Sequence, residues 1–117
     1  MFVFDPDYTF EWPVKVRYPA AGGDEVREFT GTFRLPEDEL EVYAGRDTGP
    51  GSIKEIIAAV RDRLSAYWVG WSGIEVRGGG ELAFSEENRT RLLKQRPVRE
   101  AVDRALTEAV LGIREKN

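Results

Sequence analysis

Residues 71–117 read WSGIEVRGGGELAFSEENRTRLLKQRPVREAVDRALTEAVLGIREKN, and the order of turns and helices in this stretch decides the fold. Trp71-Ser-Gly-Ile-Glu-Val76 is a turn running into a short strand. Gly78-Gly-Gly80 permits positive φ and a tight reversal, so Leu82 and Phe84 return as the second arm of a small hairpin. Ser85 caps a short helix carrying Leu92 and Leu93, and Pro97 opens the next helix at its first position. In that last helix Val98, Ala101, Val102, Ala105, Leu106, Ala109 and Ile113 form one stripe. Leu111 falls nearly opposite the stripe's centre, which exposes it on a monomer.

Upstream, Ser52 is a good N-cap for the strongest helical pattern in the chain. Ile53, Ile56, Ile57, Val60, Leu64, Tyr67 and Trp68 fall within about 120° on a helical wheel, which predicts a core face. Lys54, Glu55, Arg61, Asp62 and Arg63 cover the rest. Further back, Phe10, Trp12, Val14, Val16 and Tyr18 alternate with polar residues and Pro13, a period of two that predicts a strand with one buried face. Pro13 cannot donate to a ladder and therefore belongs at the strand's start or on an edge.

Phe29, Gly31, Phe33 and Leu35 form the inner face of a second strand, with Thr30, Thr32 and Arg34 outside. Val26 is out of phase with that set, so a bulge is expected near Arg27 and Glu28. Phe2-Val3-Phe4, ahead of the Asp5-Pro6-Asp7 turn, is a candidate third strand. Pro36-Glu-Asp-Glu39 opens a short helix, and the glycine-rich residues 44–51 form the one expected linker. These elements predict one α+β domain over residues 1–117. An N-terminal antiparallel hairpin of two to three strands packs on a long amphipathic helix, followed by two shorter C-terminal helices.

Composition narrows the chemistry. The 117 residues include neither cysteine nor histidine, so disulfides, thiolate zinc sites and a Ser-His-Asp triad are excluded. No apolar run approaches the ~20 residues of a membrane span. The opening MFVFDPDYTF lacks a basic n-region, which leaves a cytoplasmic location as the expectation. Residues 1–50 carry eleven acids and five bases, net −6, whereas residues 51–117 carry ten acids and twelve bases, net +2. Such opposed halves attract each other, either within a monomer or, by self-association, between copies, with plain solvated surface as the blander reading.

Several local patterns have bland readings. The glycine clusters lack Walker-type spacing and read as turns. Glu37, Asp38, Glu39 and Glu41 read as an acidic helix start in preference to a metal site. Arg89, Arg91, Lys94, Arg96 and Arg99 occur without an intervening acid and form the best nucleic-acid feature of the chain. Trp12 and Trp68 read as core, while Trp71, in its turn, is open to a partner role.

Taken in order, Trp71-x-Gly73-Ile74, a glycine turn, Leu82-x-Phe84-Ser85-x-x-Asn88, Leu92-Leu93, Pro97-Val98, Ala101, Glu108-Ala109, Gly112 and Lys116-Asn117 resemble the tail assembly chaperones of long-tailed bacteriophages and prophages. The upstream hairpin fits the same group. Gly79-Gly80 departs from the acid-glycine turn expected there. The resemblance implies a non-enzymatic protein of the bacterial host cytoplasm, without a cofactor, that keeps the tape measure protein soluble while tail tube subunits assemble around it. It also implies a C-terminal extension by programmed frameshifting, with which Lys116-Asn117 is compatible as a codon pair. Trp71, Leu111 and the edge strand containing Pro13 are the candidate partner-binding surface. The alternatives are a small structural tail or head-tail protein and a nucleic-acid-binding regulator using residues 89–99.

Overall fold

The computed structural model describes residues 1–43 and 51–112. The period-two alternation at the start of the chain becomes an antiparallel pair, β1 (Thr9–Tyr18) and β2 (Glu25–Arg34). Their register runs without interruption from Thr9 opposite Arg34 to Tyr18 opposite Glu25. The bulge expected near Arg27 and Glu28 is therefore absent. Val26 lies on the outward face and needs no bulge to explain its phase. A short 3-10 helix, Glu39–Tyr43, follows and buries Val42 completely. Asp38 organises its start, accepting from the backbone N–H of Leu40 at 2.9 Å.

Helix α1 (Ile53–Tyr67) begins where the Ser52 hydroxyl accepts from the backbone N–H of Glu55 at 3.2 Å. It passes directly into β3 (Trp68–Ser72), with the Trp68 N–H still bonded to the Leu64 carbonyl. The sheet order is β1-β2-β3, so β2 is central and β3 supplies the third strand. Phe2, Val3 and Phe4 form no strand. β3 pairs antiparallel with β2 through a register shift at Thr32/Phe33, which sets both Trp68 and Trp71 against the inner face of β2.

Past β3, residues 74–82 form the expected small hairpin, reduced to a bridge between Glu75 and Glu81. Gly78, Gly79 and Gly80 adopt φ of 99°, 102° and 94°, a run of positive values that residues with a Cβ rarely adopt. Helices α2 (Glu86–Leu93) and α3 (Arg96–Leu111) follow. Ser85 caps α2, its hydroxyl accepting from the Asn88 N–H at 3.0 Å. Pro97 lies in the first turn of α3, at its second position and not the first, because the helix begins at Arg96.

The architecture is α+β: among the described residues, a three-stranded antiparallel sheet with three α-helices. The helix that lies across β1 is α3, not α1, and at 16 residues it is no shorter than the 15-residue α1. Its stripe is core: Val98, Ala101, Val102, Ala105 and Leu106 are buried against Val14, Val16, Phe29 and Phe33 from the sheet. Each valine, leucine or phenylalanine of this set contributes about 1.5–3 kcal/mol on full burial. Trp68 sits at the centre, tilted against Phe29 at 5.8 Å and against Trp71 at 5.1 Å.

The core face expected of α1 needs correction. Only its C-terminal part, Leu64 and Tyr67, is buried. Ile56, Ile57 and Val60 are half-buried, and Ile53 is 76% exposed. Trp68 is fully buried but belongs to β3. Arg63, assigned to the outer face by its charge, is buried because α3 presents Asp103 to it. Periodicity identifies the apolar side of a helix; it does not say whether another element reaches that side.

Candidate partner-binding surfaces

Trp71, Leu111 and Pro13 do not come together as one surface. Trp71 lies in β3 and not in a turn. Its indole N–H donates to the Leu82 carbonyl at 2.8 Å, and its ring stands edge-on to Phe84 at 4.8 Å. It is half-buried and braces the 74–84 segment against the sheet. Leu111 is likewise half-buried and packs on the core, which corrects the exposed position expected from its helical phase. Pro13 is on the outward face of the edge strand β1, opposite Thr30. Its missing N–H discourages strand addition along that edge.

The basic stretch is largely absorbed by the fold. Arg89 donates to the Trp68 carbonyl at 2.9 Å and lies over the Phe84 ring at 5.6 Å. Arg99 donates to the Leu93 carbonyl at 3.1 Å, using a cation to satisfy the C-terminal end of α2. Burial first, then the neighbouring Arg61 and Arg96, push the Arg99 guanidinium below its ordinary value. Arg96 pairs with Glu100 at 2.7 Å, and that bond together with the carboxylate's charge raises its pKa. Arg91 and Lys94 remain exposed, a thin basis for phosphate binding.

The acidic segment is also structural. Asp38 caps the 3-10 helix, and Glu41 accepts from the Tyr67 hydroxyl, whose ring carries the Arg34 guanidinium at 5.0 Å. Among the described residues no group of three or more Asp, Glu, His or Cys is arranged to hold a metal ion. No helix among them is long and apolar enough to cross a membrane.

What the core leaves uncovered lies elsewhere. Ile53, Ile56, Ile57 and Val60 follow the i, i+3, i+4, i+7 spacing of one helix face, and that face is only partly covered. Phe2, Val3 and Phe4 are 88%, 76% and 74% exposed. A third feature is a groove beside the 74–84 hairpin, of two adjoining hollows of about 200 and 520 Å³ that share Glu75 and Leu92. Sequence reasoning assigned the isoleucines to the core and the phenylalanines to a strand. Neither hydropathy nor spacing distinguishes a covered apolar row from an uncovered one.

Of the glycine-rich segment 44–51, expected as a linker, residues 44–50 lie outside the described residues, as do Ile113 and the terminal Lys116-Asn117 pair. Compared with known proteins, the chain matches no family model, and no curated protein or solved structure matches it.

Proposed function

We propose that this protein is a non-enzymatic binding protein of phage or prophage tail assembly, a chaperone that holds the tape measure protein soluble in the host cytoplasm. The observation that carries the reading is the state of α1. Its C-terminal half is sealed into the core, while Ile53, at 76% exposure, continues the same apolar face outward through the half-buried Ile56 and Ile57. An apolar row on a well-capped helix supplies adaptable contact area for an aggregation-prone segment. The net charge of −4 keeps such a protein in solution while the row is unoccupied.

The order of turn and helix signals from Trp71 onward supports the same assignment, through its resemblance to tail assembly chaperones. In this reading the client contacts α1, and Trp71 and Leu111 hold the fold. Co-expression with the tape measure protein of the same gene cluster, followed by a pull-down, tests it. A stable complex that is lost on Ile53→Asp is expected. No complex, with both proteins present in the soluble fraction, overturns it.

A further inference from the structure

Residues 1–4 are apolar and uncovered, and two carboxylates, Asp5 and Asp7, follow them at once. A turn fixes the base of this arm: the Tyr8 N–H donates to the Asp5 carbonyl at 3.3 Å and the Asp7 N–H to the Asp5 carboxylate at 2.9 Å. None of the described residues buries Phe2 or Phe4.

The groove beside the 74–84 hairpin has the complementary character. The smaller hollow has an apolar floor, made by Val16, Phe29, Ile74, Leu92 and Val98, whereas the larger sets Asn88 and Gln95 beside Val76 and Leu82. The rim of the groove carries Arg27, Arg77 and Arg91. Arg27 is already engaged with Glu25 at 3.3 Å, and Glu75 is an acid on the same rim. Arg77 and Arg91 have no hydrogen-bond or ion-pair partner among the described residues. The rim is thus net basic where the arm is acidic, and the smaller hollow is apolar where the arm is apolar.

The arm cannot reach the groove of its own molecule. It leaves the sheet at the Thr9 end of β1, while Val16 and Tyr18, at the other end of that strand, line the groove. Ten residues of strand span about 30 Å, whereas four extended residues beyond the turn reach only about 14 Å.

We infer that the arm of one copy seats in the groove of a second copy, with Phe2 and Phe4 over the apolar floor and Asp5 and Asp7 facing Arg77 and Arg91. The contact joins two different surfaces. Two copies that exchange arms close it as a dimer; copies that pass the arm onward close it as a ring or extend it as a chain. Either form multiplies the α1 apolar row, and the association does not depend on the identity of the client.

Sedimentation velocity from micromolar to millimolar concentration tests the inference on the full chain and on Phe2→Ser/Phe4→Ser. Both positions are exposed, so the double variant keeps its fold. The full chain is expected to associate with rising concentration and the double variant to stay monomeric. Arg91→Glu is expected to weaken association on the order of tenfold, and adding Asp7→Arg to restore it. A peptide of residues 1–8, titrated into the isotope-labelled double variant, is expected to shift the amides of Ile74, Leu92 and Val98. A full chain that is monomeric throughout, association that survives Phe2→Ser/Phe4→Ser, or peptide shifts confined to β3 would each overturn it.

Discussion

Arg63 of α1 reaches across to Asp103 of α3, its two terminal nitrogens donating to the two carboxylate oxygens at 2.9 and 3.3 Å. The Arg63 side chain is 2% exposed and that of Asp103 20%, so the pair is shielded from water at the seam between α1 and α3. Thr107 adds a hydroxyl contact to the same carboxylate at 3.4 Å. Asp103→Ala leaves a buried guanidinium without the carboxylate that offsets its desolvation. The expected loss is about 3–5 kcal/mol, read by urea denaturation. The double variant Arg63→Met/Asp103→Leu removes both charges and is expected to recover most of it.

Gly31 stands between Trp12 and Trp71 in the register of the sheet. A Cβ there would lie 2.7 and 2.9 Å from two ring carbons of Phe33 and 3.1 Å from a methyl of Val14. Both neighbours are fully buried and have no room to retreat. Gly31→Ala is expected to destabilise by about 1–3 kcal/mol, the cost of overpacking a filled core. Gly70→Ala meets its nearest neighbour, the Thr32 Cβ, at 3.3 Å, so its cost is smaller. Thermal melts of the two variants give the order.

Trp71 tests the division between structural and binding roles. Trp71→Phe removes the indole N–H bond to the Leu82 carbonyl and leaves that acceptor to water or to nothing. A loss of about 1 kcal/mol is expected. Faster amide exchange should accompany it at Leu82 and Val76, whose N–H groups close the small hairpin at 2.7 and 2.9 Å. Client binding should persist in this variant, since the residue faces its own fold.

Leu111 belongs to the same comparison. Leu106→Ala empties a fully buried site and is expected to cost about 2–5 kcal/mol. Leu111→Ala, at a half-buried site on the last turn of α3, is expected to cost less than half as much. Equal losses by chemical denaturation would contradict the packing described.

The elements that the sequence reveals are those whose signal is local. Ser52 and Ser85 announce their helices because a hydroxyl at an N-cap acts within one turn. The β1 and β2 faces follow from alternation, and the α3 stripe from its period. The misreadings share one cause, which is tertiary contact. Trp68 has the phase of a helical residue, yet it pairs with Phe33 as a strand. The run Trp68-Val-Gly-Trp-Ser72 has no clean alternation because the register shift at Thr32/Phe33 turns both tryptophans inward. Arg63 carries a surface charge and is buried by a carboxylate forty residues away. The α1 isoleucines and the arm at residues 1–4 are apolar in the sequence, and their exposure depends on what the rest of the chain leaves uncovered. The candidate surface was therefore the least legible part.

On the proposed function, the Ile53 end of α1 holds a client in solution. The direct measurement is the soluble fraction of the tape measure protein expressed alone, with the intact chain, and with Ile53→Asp/Ile57→Asp. The double variant must first show an unchanged thermal melt, as expected for positions outside the sealed core. The intact chain is expected to raise the soluble fraction several-fold, and the double variant is not. A double variant that solubilises the client as well as the intact chain would contradict it.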